Sequence, residues 1–255
     1  MNHTQIKKDT GIDSIFNGYS FEDIEVEKSV EVSNNDNIIE LLKEYDAFLK
    51  LSVKEKIKHK TDILVSNDGI NLFLSVMNTK KTGSNFHTYS SLFLSNLIQN
   101  LYDSNENNLI LDFSKTPCLS SIFEKLNAKK ENPLVIYAKG GLNTFVGGSS
   151  ENLTLFVDGD VGNCTGHNSR NFNLFVNGNA GDRLGVSAKN MSAYVSGNVS
   201  KGIGMCAKNS LFLVDGEVKE PGIKTYPYSF KVIQKNIYED LFYKDMKRLF
   251  EERFK

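Results

Sequence analysis

The chain has 255 residues, of which 40% are hydrophobic, and its formal net charge is −1. This length allows one large domain or two modest ones, and the near-neutral charge excludes a general attraction to nucleic acid or acidic membranes. No apolar run approaches the length of about eighteen residues that a membrane span needs. The sequence opens without the apolar segment of a secretory signal, and its three cysteines lie far apart, so we expect a cytoplasmic protein.

The first part of the chain is predicted to be irregular and then helical. Residues 1–35 are polar, with a short alternating pattern over Phe21–Val32 as a candidate strand. The stretch Asp36–Leu51 has the apolar spacing of an amphipathic helix. The basic run KEKIKHK follows without interleaved aromatic residues, which favours a solvated helix end over a phosphate or nucleic-acid patch.

Residues 36–132 are predicted to form a small α/β domain. Within this range, Asp62–Val76 indicates two short strands around a hairpin turn at Ser66-Asn67-Asp68-Gly69. A helix, a strand and a short helix begun by Pro117 are then expected over Ser90–Leu101, Leu109–Phe113 and Leu119–Leu126. A strand over Leu134–Ala138 leads into the next part of the chain.

Residues 133–220 contain a repeat with a period of nineteen residues. A lead glycine recurs at this period, and a second glycine follows each of the first four lead glycines after seven residues. Such a period is typical of a solenoid with one coil per repeat. We expect the glycines at coil corners, where glycine adopts a positive φ without steric cost. They are Gly140, Gly147, Gly159, Gly166, Gly178, Gly185, Gly197, Gly204 and Gly216.

The positions between the glycines predict a parallel β-helix. Positions two, six, fifteen and seventeen after each lead glycine are nearly all apolar, as in Leu142, Val146, Leu155 and Val157. Alternation about position sixteen predicts one strand of about five residues per coil. The predicted fold is therefore mainly β: a short right-handed parallel β-helix of 19-residue coils, preceded by the small α/β region and followed by a C-terminal helix.

Polar side chains and a terminal helix complete this prediction. Asp160, Asn179 and Asn198 directly follow lead glycines, and they would stack as a ladder that shares side-chain hydrogen bonds. Residues 221–255 are predicted to be a linker and an amphipathic helix over Gln234–Phe254. Because an open coil exposes apolar core and an unpaired strand edge, this helix is a candidate cover for one end.

The repeat resembles the GXGXG domain. The residues in question are GDVGNCTG at 159–166 and GNAGDRLG at 178–185. The copy that begins at Gly197 has Ser200 in place of a glycine, and the copy that begins at Gly140 departs further, with Gly141 and Asn143 at patterned positions. The family includes the C-terminal β-helix of the glutamate synthase large subunit, and one of the subunits of formylmethanofuran dehydrogenase is similar. The resemblance spans about residues 133–218 and implies a scaffold without catalytic residues of its own.

No catalytic, cofactor-binding or metal-binding residue is predicted. The chain lacks an N-terminal cysteine for amidotransferase chemistry and a cysteine cluster for an iron–sulfur centre. Cys164 and Cys206 fall in different columns of the repeat, which favours small buried side chains over a redox or metal pair. His167 follows a corner glycine without a matching acid or second histidine. Cys118 stands at the start of a predicted helix, whose N-terminus would lower the pKa of its thiol. Burial of the thiol would cancel this effect, and the sequence favours that alternative.

One column of large side chains is predicted to face away from the coil interior. It contains Tyr137, Phe156, Phe175, Tyr194 and Leu213. A continuous exposed stripe of this kind marks an interface. Either residues 36–132 or the C-terminal helix cover the stripe within the chain, or a partner protein docks on it. Burial of these side chains within one chain would favour the first alternative.

Three functions are compatible with the sequence. The first is a non-catalytic scaffold or assembly subunit with the β-helix as docking surface, which the resemblance associates with a glutamate-synthase-like oxidoreductase complex. The second is a stand-alone enzyme with a site between the α/β domain and the β-helix. The third is a regulatory binding protein similar in architecture to the bacterial cell-division inhibitor MinC. For the first we expect a protein partner or self-association, and no nucleic acid, membrane or cofactor.

Overall fold

A helical region begins the part of the chain that the structure describes. The structure is a computed structural model, and it describes residues 35–77, 86–116, 119–221 and 229–234. The helices are α1 (Asn35–Lys50), α2 (Val53–Lys58), α3 (Asn67–Met77) and α4 (Phe86–Asp103). The helices predicted over 36–51 and 90–101 are confirmed by α1 and α4. The candidate strand over Phe21–Val32 lies outside the described residues.

Helix α3 replaces the hairpin that we predicted over residues 62–76, so that prediction is wrong. The Ser66 hydroxyl accepts a hydrogen bond from the Gly69 N–H at 3.2 Å, which makes this serine a helix cap. The buried side chains of the helix, Ile70, Phe73, Leu74 and Met77, recur at helical spacing. The sequence Ser66-Asn67-Asp68-Gly69, which we interpreted as a turn, is therefore the start of a helix, because the apolar residues after it follow the helical period.

A parallel β-solenoid follows the helices and confirms the predicted β-helix. Its strands are β1 (Asn108–Asp112), β2 (Leu134–Lys139), β3 (Leu153–Asp158), β4 (Asn173–Val176), β5 (Ser192–Val195), β6 (Val199–Ile203), β7 (Lys208–Val214), β8 (Val218–Pro221) and β9 (Ser229–Gln234). Within the described ranges the main sheet has the order β1-β2-β3-β4-β5-β7-β9, and β6 pairs with β8 in a second sheet. Leu155 pairs with Leu174 and Phe156 with Phe175, so neighbouring coils stack nineteen residues apart.

The solenoid begins earlier than the glycine repeat. Strand β1 pairs in parallel with β2, and the residues after β1 form a coil corner. Our prediction of a helix over 119–126 is therefore wrong. Ser121, Phe123 and Lys125 have φ values of 62°, 61° and 60°, which exclude a helix, and Gly147 N–H bonds to the Ile122 carbonyl across the coils at 2.9 Å.

The helices and the coils share one core. The inward columns of the solenoid are buried, and they are continuous with an aromatic cluster in the helical region. In this cluster the rings of Tyr45 and Phe73 meet edge to face with centroids 5.0 Å apart, and Phe93 lies 5.2 Å from Tyr45. Each such side chain contributes about 1.5–3 kcal/mol by burial. In its described residues, the region predicted as α/β thus contains four helices plus β1, which belongs to the solenoid sheet.

Helix α3 covers the outer edge of β1 with two asparagine side chains. The Ile110 N–H donates to Asn67 Oδ1 at 2.9 Å. Asn71 Nδ2 donates to the Ile110 carbonyl at 2.8 Å, and its Oδ1 accepts from the Asp112 N–H at 2.9 Å. These amides replace the hydrogen bonds that another strand would make, so the first coil is capped.

The corner glycines serve two different purposes. Gly185 has a φ of 65°, and a Cβ there would lie 2.6 Å from the ring of Phe212. Gly178 lies outside the positive-φ region, and its side chain is excluded by close approach instead, since a Cβ would lie 2.6 Å from the Gly159 carbonyl oxygen. The prediction of positive φ therefore applies to the second glycine of this coil and not to its lead glycine.

At the C-terminal end of the described chain, β9 adds one more strand to the main sheet beside β7. The helix predicted over 234–254 lies outside the described residues, apart from Gln234, which ends β9.

Candidate functional site

A groove of about 850 Å³ lies between the helical region and the first coil of the solenoid. One wall comes from α2 and Lys60, the floor from α4, and the other wall from residues 121–129. The side chains along it are Val53, Ile57, Lys60, Thr88, Tyr89, Leu92, Ser95, Asn96, Gln99, Tyr102, Asp103, Ser121, Glu124, Lys125, Leu126, Asn127, Ala128 and Lys129. This volume is within the range of ligand-binding clefts.

Hydrogen bonds from two side chains of α4 hold residues 121–132 in place, and this segment forms one wall of the groove. Gln99 binds both backbone groups of Asn127, with its Oε1 accepting at 2.9 Å and its Nε2 donating at 3.2 Å. The Tyr102 hydroxyl accepts from the Lys129 N–H at 2.7 Å and donates to the Asn132 carbonyl at 2.9 Å. The wall is therefore fixed, and these polar groups are used within the chain.

Helix α2 gives the opposite wall two apolar side chains, Val53 and Ile57, and Lys60 follows the end of the helix. A reciprocal capping box between Ser52 and Glu55 begins the helix, and the Ser52 hydrogen bonds lower the pKa of Glu55. Lys56 folds inward, where its Nζ donates to the Leu51 carbonyl at 2.7 Å and lies 4.5 Å from the Tyr89 ring centroid. The two side chains of α2 that line the groove are exposed, Val53 at 56% and Ile57 at 63%.

The sequence did not predict this groove as a set of residues. Only its general place, between the first region and the β-helix, was among the alternatives. The basic run of α2 is also only partly the solvated helix end that we predicted, because Lys56 is buried.

The aromatic stripe is buried within the chain. Tyr137, Phe175, Tyr194 and Leu213 are 8%, 2%, 4% and 0% exposed, while Phe156 is half-buried. The rings of Tyr137, Phe156 and Phe175 stack along the solenoid with centroids 4.6 Å apart. These residues lie outside the core cluster of the inward columns, as the predicted outward orientation requires. Their burial removes the main support for the stripe as a docking surface.

The predicted polar ladder forms, with backbone donors as its main partners. The N–H groups of Asn179, Asn198 and Glu217 donate to the side-chain oxygens of Asp160, Asn179 and Asn198, at 2.6, 2.9 and 2.8 Å. Each side-chain oxygen thus holds the backbone of the next coil. The shared side-chain bond that we predicted is also present, from Asn179 Nδ2 to Asp160 Oδ1 at 3.1 Å.

A second ladder, of asparagines, was missed from the sequence. Asn171 Nδ2 donates to Asn152 Oδ1, and Asn190 Nδ2 donates to Asn171 Oδ1, both at 2.9 Å. The φ values of Asn152, Asn171 and Asn190 are 55°, 49° and 54°, a conformation that asparagine tolerates better than most residues. Their recurrence at the nineteen-residue period was the signal that could have identified them.

A third ladder connects Asn163, Asp182 and Lys201. The Asp182 N–H donates to Asn163 Oδ1 at 2.7 Å, and the Lys201 N–H reaches Asp182 Oδ1 at 3.4 Å. The pKa of Asp182 lies below its ordinary value, mainly because its carboxylate has a hydrogen bond with the Ser200 side chain. The carboxylate therefore remains ionised and acts as an acceptor between coils.

The cysteines and histidines do not come together as a site in the described ranges. Cys164 and Cys206 are half-buried free thiols in different columns, and Cys118 lies outside the described residues. The His167 ring packs edge to face on Phe145, at 5.1 Å between centroids. His59 Nε2 lies 2.9 Å from Glu44 Oε1, within the helical region. No metal-binding group of histidine, cysteine and acidic residues occurs among the described residues.

In the part of the chain that the structure describes, no helix combines the length and apolar character needed to cross a bilayer. Comparison of the chain with protein-family models, with curated proteins and with solved structures gives no significant match. The proposed function therefore depends on the geometry described above and on the resemblance of the repeat to the GXGXG domain.

Proposed function

We propose that this chain is a non-catalytic scaffold subunit, a rigid body on which a protein partner assembles. The observation that supports this proposal best is the use of the repeated polar side chains. Asp160, Asn179 and Asn198 direct their side-chain oxygens to the backbone of the next coil. Each such bond stabilises the stack by about 0.5–1.5 kcal/mol, so the repeat gives rigidity and leaves few groups for chemistry.

The groove is the surface of this scaffold that best fits a docking role. Val53 and Ile57 lie one helical turn apart on α2, and both are more than half exposed beside the floor residue Leu92. Exposed apolar side chains at the edge of a cleft are typical of protein-binding sites. The buried stripe does not offer such a surface.

An enzyme with its site in the groove is the second candidate. A cleft between two regions is where active sites often lie. However, three polar side chains of the groove, Ser95, Gln99 and Tyr102, already bond to the backbone of the 121–132 segment. This arrangement supports binding in the groove more than turnover. A regulatory protein similar in architecture to MinC is the third candidate, and it differs from the first only in its partner.

The test is purification of the tagged chain at its natural expression level from its own cell, followed by measurement of mass and stoichiometry. We expect a second protein at a fixed ratio to this chain across size-exclusion chromatography. A partner with flavin or iron–sulfur absorbance would support the oxidoreductase complex that the GXGXG resemblance implies. A filament-forming partner would support the regulatory alternative.

A chain recovered only as a monomer would contradict the scaffold proposal. If that monomer also converted a substrate, the enzyme alternative would replace it. Lys189→Glu provides a control for the purification, because Lys189 is an exposed residue of the solenoid away from the groove lining. We expect this variant to retain the partner at the same ratio.

A further inference from the structure

We infer that the groove binds an extended, acidic segment of a partner protein that carries an apolar side chain at one end. This inference rests on the proposed scaffold function, since it names the chemistry of the partner at the same site. It depends on three features of the groove: its length, its division into an apolar and a polar end, and the charges of its lining.

The length of the groove fits a peptide chain better than a compact small molecule. Its floor follows one face of α4 from Thr88 to Asp103. At about 1.5 Å per residue this face is roughly 22 Å long. An extended peptide advances about 3.3 Å per residue, so the groove would hold about six or seven residues.

The two ends of the groove differ in polarity. At the end near the start of α4, the exposed Val53 and Ile57 stand beside Tyr89 and Leu92. At the other end lie Gln99, Tyr102 and the backbone-bonded wall. Leu92 and Gln99 are separated by roughly 10 Å along the helix, which corresponds to about three residues of an extended peptide. The bound segment therefore needs an apolar side chain about three residues from its polar ones.

Lysines outnumber carboxylates along the lining. Lys60, Lys125 and Lys129 are exposed, whereas the acidic lining residues are Asp103 and Glu124. Asp103 Oδ1 already accepts a hydrogen bond from Gln99 Nε2 at 3.0 Å. The lining therefore has one more lysine than it has carboxylates, whereas the whole chain has a formal charge of −1. Carboxylates on the partner segment complement this lining and accelerate its association.

Panning of a random heptapeptide library displayed on phage against the purified chain tests this inference. We expect enriched peptides that combine an apolar residue with acidic residues about three positions away. The peptides, resynthesised with a fluorescent label, should lose affinity about tenfold or more against Ile57→Ser and against the double variant Lys125→Glu with Lys129→Glu. Their affinity for Lys189→Glu should match that for the unchanged protein.

Several outcomes would overturn the inference. These are the absence of saturable binding, enrichment without a preference for acidic residues, and equal affinity for the groove variants and the control. Displacement of the peptides by dodecanoate, with tight binding of the fatty acid itself, would identify the groove as a lipid site instead. Thermal unfolding of each variant, measured in parallel, separates lost binding from lost fold.

The failure of this inference is distinguishable from the failure of the proposed function. If the natural partner co-purifies but retains its affinity for the groove variants, the scaffold proposal stands and the groove assignment is wrong. If the peptides bind in the groove while the natural chain is recovered alone, the groove assignment stands and the scaffold proposal is wrong.

Discussion

Replacement of Asn71 by alanine should both destabilise the chain and open its first coil to association. Asn71 makes two hydrogen bonds to the edge of β1, to the Ile110 carbonyl and from the Asp112 N–H, at 2.8 and 2.9 Å. Each bond contributes about 0.5–1.5 kcal/mol net. The alanine variant recovers up to about 0.7 kcal/mol of helix propensity within α3. We therefore expect the free energy of unfolding to fall by about 1–2 kcal/mol.

The second consequence of Asn71→Ala concerns the strand edge. Without this side chain, β1 presents two unpaired backbone groups to solvent, and an edge of this kind pairs with other chains. Light scattering after size-exclusion chromatography should show a mass that rises with protein concentration for Asn71→Ala and stays constant for the unchanged chain.

Ser75→Ala is the matched control for this experiment. Ser75 lies one turn further along α3, and its hydroxyl bonds only within the helix, to the Leu72 carbonyl at 2.7 Å. Urea denaturation followed by circular dichroism measures all three proteins. If Asn71→Ala were as stable as Ser75→Ala and remained monomeric at every concentration, our assignment of Asn71 as an end cap would be refuted.

Three further predictions test the corner, the asparagine ladder and the aromatic cluster. In urea denaturation, the free energy of unfolding should fall by about 1–3 kcal/mol more for Gly185→Ala than for Gly202→Ala. Both glycines have positive φ, but only a Cβ at position 185 would overlap a buried ring, so equal losses would contradict the steric argument. Asn171→Gly should lower the free energy of unfolding by about 1 kcal/mol, because the ladder bonds are lost. Asn171→Ala should lower it by about 1 kcal/mol more, because alanine tolerates a φ of 49° poorly. A glycine variant as stable as the unchanged chain would show that the ladder does not stabilise the fold. Burial raises the pKa of Tyr45 from its ordinary value near 10 to about 12, so the contribution of the protonated hydroxyl to the free energy of unfolding is complete below pH 10 and is lost as the pH rises towards 12. In Tyr45→Phe the free energy of unfolding should therefore fall by up to about 2–3 kcal/mol less over this pH range, and a pH profile like that of the unchanged chain would contradict the prediction.

The repeat made the solenoid predictable, whereas residues 119–126 escaped prediction although their side chains follow a regular pattern. The coils of the glycine repeat encode the same inward columns and corner glycines, so the register of β3 on β4 could be derived by counting nineteen residues. Residues 119–126 also have apolar side chains at helical spacing, with Leu119, Ile122 and Leu126 all buried. The same spacing fits a coil corner in which alternate residues have positive φ, and side-chain periodicity alone does not distinguish the two backbones.

The groove was not predictable because its walls come from distant parts of the chain. Ile57 and Lys125 line the same cleft although almost seventy residues separate them in sequence. The wall depends on the contact of Gln99 with Asn127, which no periodic pattern encodes. The burial of the stripe was unpredictable for a similar reason. Alternation along a strand shows which side chains face away from the coil, but it does not show whether another segment covers them.

The distribution of polar bonds along the chain connects the fold with the proposed function. In the solenoid, side chains such as Asn171 and Asn179 bond to neighbours nineteen residues away, and these bonds stiffen the stack of coils. At the junction with the helices, Gln99 and Tyr102 instead bond across 27 or more residues and hold the groove wall in place. A preorganised wall reduces the conformational entropy that binding must otherwise overcome. The rigid repeat and the fixed groove therefore favour recognition of a flexible partner segment by a surface that already has its bound shape.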